Sequence, residues 1–365
     1  MKARARVADE KREPPKARCS AGFSVPLDTP PMEARSAEQL PATEGPWQYE
    51  PKWDGFRCLA FKSGDVVELR AKSGKPLGRY FPEVVAFLRD LKIAQFVIDG
   101  ELVIETEGRL SFDALQMRLH PAESRIRKLA DETPARFIAF DLLADVQGAV
   151  LLDEPLRARR KALELLIQKV GVSNRPELSP RTLDLKKAEK WLQGSGGETD
   201  GVVAKHLDGP YLPGERTMLK VKRIRTADCV VGGFRYASKK REVGSLLLGL
   251  YDAEGMLNHV GFTSNIPTAE RPKLTRELEK LRSPPGFTGK APGGPSRWST
   301  ERSSEWEPVA PKLVAEVRYD HVGSGRFRHG TGFVRWRPDK SPRQCTFEQI
   351  APPASGRRRA SRART

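Results

Sequence analysis

An α+β fold in two parts is what this chain predicts, and three observations carry the reading. Residues 47–222 interleave short alternating apolar runs with stretches of helical spacing. From residue 228 onward, strand-type runs follow one another with a single helical stretch at 267–282. Charged, aperiodic segments close both ends. The expected division is a disordered basic N-terminus (1–24), a first domain (25–224), a second domain (225–352) and a disordered basic tail (353–365).

The run Trp47-Gln-Tyr49 alternates, and so does the run Cys58, Leu59, Ala60, Phe61. A hairpin is therefore expected over 47–61, with Lys52, Asp54, Gly55 and Arg57 between its strands. A lysine held rigid and partly dehydrated there is pushed toward its neutral, nucleophilic amine. Residues 66–70 read as a strand and 72–75 as a turn. Apolar residues at 81, 84, 85, 88 and 91 have helical spacing. Residues 95–103 form a strand interrupted at Gly100, between Asp99 and Glu101, where another group must approach the backbone closely. Ser111 suits the N-cap of a helix reaching 117. Residues 135–143 are nearly all apolar, as a central strand is.

Asp153-Glu-Pro155 opens a helix whose stripe is Leu156, Leu163, Leu166, Ile167 and Val170. Arg157, Arg159 and Arg160 crowd its start, against the helix dipole. Phosphate contact and a solvated face both fit them. Residues 186–192 form a short helix ended by glycines, and 201–205 and 217–222 are strands. In the second part, 229–236 and 244–251 are strands joined by a basic turn at 238–241. Residues 257–263, 313–319 and 332–336 are further strands. A small barrel with one helix, of OB-fold type, matches that pattern.

The composition narrows the function. Of the net charge of +17, the first twenty residues hold +4 and the last thirteen +5, so the body is basic as well. A polyanion, nucleic acid first, is the natural partner. The four cysteines are scattered without a C-x-x-C pair, against a disulfide framework or zinc knuckle. The five histidines lie far apart and no H-E-x-x-H occurs. No segment approaches 18 apolar residues, so no membrane span is expected and a cytoplasmic, nucleoid-associated setting is. Neither a Walker loop nor a Rossmann glycine turn is present.

An ordered set of short motifs remains. They are K-W-D-G-F-R at 52–57, F-V-I-D-G-E-L-V at 96–103, F-I-A-F-D-L-L at 137–143, D-G-V-V-A-K at 200–205, L-K-V-K at 219–222 and R-W-R-P-D-K at 335–340. In that order and spacing they resemble the six motifs of the covalent nucleotidyltransferases. More closely, the chain resembles the compact bacterial ATP-dependent DNA ligases of the C type, over about residues 25–350. The resemblance implies a nucleotidyltransferase domain of ATP-grasp-like antiparallel sheets with flanking helices, then an OB-fold.

It also implies roles. Lys52 would attack the α-phosphorus of ATP and form a lysyl–AMP bond, with Lys220 and Lys222 against the α-phosphate. Glu101 and Asp200 would hold Mg2+ or Mn2+; the family usually has Glu at the latter position, so Asp200 would reach the ion directly or through water. Phe140 would stack on adenine and Glu50 would accept from its amine. Arg57 would bind the ribose or the nicked 5′-phosphate. Lys72 stands where the family usually has Arg and would bind phosphate or ribose without the bidentate fork. Lys205 belongs to the nucleotide-binding set. Arg337 and Lys340 would reach the pyrophosphate when the second domain closes. Arg235, Lys239, Lys240 and Arg241 are candidates for a face that binds nicked duplex DNA. A monomer is expected, with other DNA-repair proteins as further partners, in end joining or base excision repair. An RNA ligase or capping enzyme is the alternative within the superfamily, and a catalytically idle nucleic-acid-binding protein the alternative outside it.

Overall fold

The computed structural model describes residues 22–42, 45–170, 176–194, 199–238, 240–293 and 305–351. Most of the N-terminal segment, the whole C-terminal tail and Lys239 of the basic turn lie outside the described residues. Residues 22–24, expected to be disordered, join the fold: Phe23 meets Phe61 edge-on at 5.7 Å.

In chain order the first half contains β1 (Ala34–Ser36), β2 (Trp47–Trp53), β3 (Phe56–Ser63), β4 (Val66–Ala71), α1 (Pro82–Asp90), β5 (Gln95–Val103), β6 (Glu105–Thr106), β7 (Arg109–Leu110), α2 (Phe112–Arg118), α3 (Glu123–Glu132), β8 (Arg136–Ala144), α4 (Leu156–Val170), β9 (Glu177–Leu178), α5 (Leu185–Gln193), β10 (Thr199–His206) and β11 (Met218–Lys222). Local chemistry sets several boundaries. Pro82 opens α1. Ser111 caps α2 by accepting from Ala114 N at 3.2 Å, and Asp184 caps α5 by accepting from Lys186 N at 2.9 Å.

Two main sheets result, one in the order β1-β11-β10-β2 and one in the order β4-β3-β5-β8-β9. Both are antiparallel except where β1 meets β11 and β8 meets β9. The expected hairpin over 47–61 is therefore corrected. Strands β2 and β3 are consecutive in the chain but belong to different sheets. The chain crosses between sheets at Asp54-Gly55, where a Cβ on Gly55 would lie 2.2 Å from Leu102 O. Only a bare Cα fits that approach.

Arg159 and Arg160 are corrected too. Both are buried, so neither a solvated nor a phosphate-facing surface fits them. Arg159 pairs with Asp141 at 2.8 Å and donates to Glu154 O and Gly209 O, fastening α4 to β8. Arg160 meets Glu164 at 2.9 Å and Ser179 O at 2.6 Å. Arg157 remains exposed, against Asp208.

The second half contains β12 (Arg225–Ala237), β13 (Lys240–Tyr251), β14 (Leu257–Thr263), α6 (Arg271–Lys280), β15 (Glu307–Pro308), β16 (Val314–Tyr319), β17 (Val322–Gly323), β18 (Arg326–Phe327) and β19 (Gly332–Trp336). Its main sheet runs β14-β13-β12-β16-β19, with β15 on β12, and β17 and β18 form a separate hairpin. The barrel was expected to close, but β14 and β19, the ends of the path, do not pair as strands. A single bridge from Thr263 to Thr331 spans them. Strand positions such as Leu246, Leu248, Val260 and Val317 bury a core drawn from this half alone. The first half buries separate cores.

Candidate active site

The two sheets of the first half face each other across a cavity of about 840 Å³. Register explains its lining. On β10, Gly201 stands between Lys52 of β2 and Lys222 of β11, and Val203 between Glu50 and Lys220. A Cβ on Gly201 would lie 2.1 Å from Val221 O, so this row needs glycine at its centre. A register shift between Thr199 and Gly201 re-aims Asp200. From the facing sheet come Arg57, Glu101 and Phe140.

Lys52 lines the cavity and its Nζ donates to Asp200 Oδ2 at 3.1 Å, with 22% of its side chain exposed. It sits on a strand facing a carboxylate, not on the turn where a bare amine was expected. Lys220 lines the same cavity. Burial, then the charges of Lys222 and Lys52, pull its pKa below the ordinary lysine value. Lys222 does not line the cavity; it meets Asp320 of the second half at 2.6 Å. Glu101 lines the cavity, and burial pushes its carboxyl up to about 7 against the opposing charges of Arg57 and Lys52.

Phe140 forms an apolar wall, 8% exposed, with the Arg57 guanidinium and the Lys205 ammonium each 4.6 Å from its ring centre. Glu50 is buried against Lys205 at 3.1 Å and accepts from Gln48 Nε2 at 2.7 Å. Arg57 donates twice to buried Asp99, at 2.6 Å each, and to Met32 O at 3.1 Å. Tyr211 completes that network by donating to Asp99 at 2.7 Å. Lys72 is on the cavity rim, paired with Glu33 at 2.9 Å.

Arg337 and Lys340 do not line the cavity. Both grip Asp228 of their own half, at 2.9 and 2.7 Å. The segment reaching the first half is another one. Arg328 Nη1 donates to both oxygens of Asp54, at 2.8 and 2.6 Å, and Ser324 donates to Asp113 at 2.6 Å. His321 Nδ1 lies 3.3 Å from Asp200 Oδ1. Burial opposes ionisation of Asp200, but the His321 contact and the Lys52 charge outweigh it and hold that carboxyl well below the usual range.

Among the described residues, Asp54, Asp200 and His321 bring ligand atoms within 4.8 Å of one another, a gathering that includes Asp200 but not Glu101. Neither His321 nor Arg328 carried a sequence signal, because each lies more than a hundred residues from what it touches. Asp54 was visible in its motif but had no role. Of the expected DNA-face residues, Arg235 lines a second cleft, between the two halves, with Arg223, Arg225 and Arg326. Arg241 is exposed near Glu279.

Two family models match the chain, "ATP dependent DNA ligase domain" over residues 31–222 and "ATP dependent DNA ligase C terminal region" over residues 239–340. DNA ligase C1 of Mycolicibacterium smegmatis is 44% identical over 91% of this chain and 97% of that protein. DNA ligase C of Mycobacterium tuberculosis is 42% identical over 89% and 95%. The multifunctional non-homologous end joining DNA repair protein LigD of Mycobacterium tuberculosis is 32% identical over 83% of this chain but only 37% of its own length. A solved Lig E DNA ligase, 17% identical, shares the fold with a TM-score of 0.52 over 84% of this chain and 99% of that one.

Proposed function

The chain belongs to the ATP-dependent DNA ligase family, and on that premise we propose which of its residues carry the reaction. The enzyme seals breaks in duplex DNA at the expense of ATP, through an enzyme-bound AMP and a DNA-adenylate. Lys52 is the nucleophile. Its nitrogen forms a bond to the α-phosphorus of ATP, pyrophosphate leaves, and the nitrogen loses a proton to solvent. The AMP then passes to the 5′-phosphate of the nick, and the 3′-hydroxyl displaces it.

The observation that carries this reading is one cavity joining an apolar wall at Phe140 to the cations Lys52 and Lys220. Phe140 stacks on the base, with Glu50 accepting from its amine once Lys205 shares it. Lys220 stabilises the charge spread over the phosphate oxygens. Arg57 and Lys72 hold ribose or phosphate at the rim. An ammonium has no lone pair, so Lys52 must give up its proton and its pairing with Asp200 before it attacks. Asp200 and Glu101, both acids at this face, suit the Mg2+ or Mn2+ that travels with ATP; that ion, when bound, shields phosphate charge.

The division at residues 224/225 and the OB-fold nature of the second half belong to this proposal. So do closure of Arg337 and Lys340 over the pyrophosphate, approach of Lys222 to the α-phosphate, and action as a monomer in repair. The separate core of the second half supports rigid-body movement. Among the described residues no helix is long and apolar enough to cross a membrane.

The test is covalent labelling with α-labelled ATP. Wild type takes up label and Lys52→Ala does not; retained labelling in that variant would refute the assignment.

A further inference from the structure

We propose that Gln48 is a positioning residue for base selection: it fixes which oxygen of Glu50 is offered to the purine. The inference rests on the reading that Glu50 accepts from the adenine amine, and it adds what makes that acceptor selective.

Gln48, Glu50 and Lys52 alternate along β2, so their side chains leave the same face of the strand. Gln48 stands opposite Lys205 of β10, and Glu50 opposite Val203. Glu50 and Lys205 line the cavity; Gln48 does not, and is wholly buried. Its Nε2 donates to Glu50 Oε1 at 2.7 Å, and Lys205 Nζ lies 3.1 Å from the same oxygen. Both donors thus converge on Oε1. Neither takes Oε2, which leaves that oxygen to accept from a base.

A carboxylate only accepts. It suits the exocyclic amine of adenine and repels the carbonyl oxygen that guanine carries in its place. Guanine would be admitted if the carboxylate turned aside and Lys205 donated to that carbonyl instead. Two features oppose the exchange. The Gln48 amide pins Oε1, and the buried Lys205 ammonium is held between Oε1 and the Phe140 ring, 4.6 Å from its centre.

Gln48 does this against its own packing. Its Oε1 is buried without a hydrogen-bond partner. The reverse amide orientation would set that oxygen against the carboxylate, so it gives no relief. A bare acceptor in the interior opposes folding, and a leucine of similar size would remove it. The glutamine is favourable only through the carboxylate that it holds.

The experiment follows self-nucleotidylation of the full chain with ATP, GTP and purine riboside triphosphate, which carries hydrogen where ATP has its amine. Wild type should favour ATP over both. Gln48→Leu should raise KM for ATP about tenfold, keep kcat within about twofold, and narrow the preference for ATP over purine riboside triphosphate by about the same tenfold. Gln48→Met, unbranched like glutamine, provides the same comparison should the leucine variant fail to fold. Equal use of ATP and purine riboside triphosphate by wild type would overturn the Glu50 contact and this inference with it. A preference for ATP kept in full by a folded Gln48 variant, or an equal loss with all three nucleotides, would overturn the inference alone.

Discussion

Glu101 gives the residue scale its sharpest prediction. Its carboxyl is raised to about 7, chiefly by burial, so the fold favours the protonated form. The stability this adds is complete below the unfolded carboxyl value of 4.5 and is lost as pH rises toward 7. Glu101→Gln cannot ionise and should lack that loss. Urea unfolding across this range should show wild type declining relative to the variant by up to about 3 kcal/mol. Parallel profiles would mean that Glu101 is not held in a dehydrated position. At this scale the sequence was informative where a motif gave a residue type: Lys52, Glu101, Phe140 and Lys220 all line one cavity. It was silent where a side chain's partner lay far along the chain. Lys52 meets Asp200, Lys222 meets Asp320, and Arg57 meets Asp99.

Among the elements, α4 and β8 are fastened by the buried pair Arg159–Asp141. Burial opposes the Asp141 charge, and Arg159 more than offsets it. Asp141→Ala strands a buried guanidinium and should destabilise the first half by about 3–5 kcal/mol in denaturant unfolding. A loss below about 1 kcal/mol would show that the pair is solvated. The sequence predicted the helix but not this contact, because charge near a helix start is ordinarily exposed. Alternation likewise revealed β2 and β3 as strands but could not name their neighbours. A hairpin was the local inference, and two separate sheets are what forms. Short α3, with only Ile126 and Ala130 buried, offered too small an apolar stripe to stand out.

At the scale of the whole molecule, a basic body and a strand-rich second half were legible from composition and pattern. How the halves meet was not. Arg337 and Lys340 hold Asp228, away from the cavity, while Arg328 and His321 meet Asp54 and Asp200 of the first half. Closure over a nucleotide therefore requires the second half to turn. Arg337→Ala should impair self-adenylation more than sealing of a pre-adenylated nick; equal loss in both assays would remove the lid role. Deleting residues 353–365 takes away five arginines and should weaken DNA binding with a shallower salt slope. An unchanged slope would leave the tail no electrostatic part.

The central claim is that Lys52 becomes the carrier of AMP. Peptide mass spectrometry of the purified chain after incubation with ATP and Mg2+ tests it most directly. The account predicts one adenylated peptide, with the modification on Lys52 and its loss when nicked DNA is added. Adenylation on another residue, or no adduct under conditions in which nicks are sealed, would contradict it.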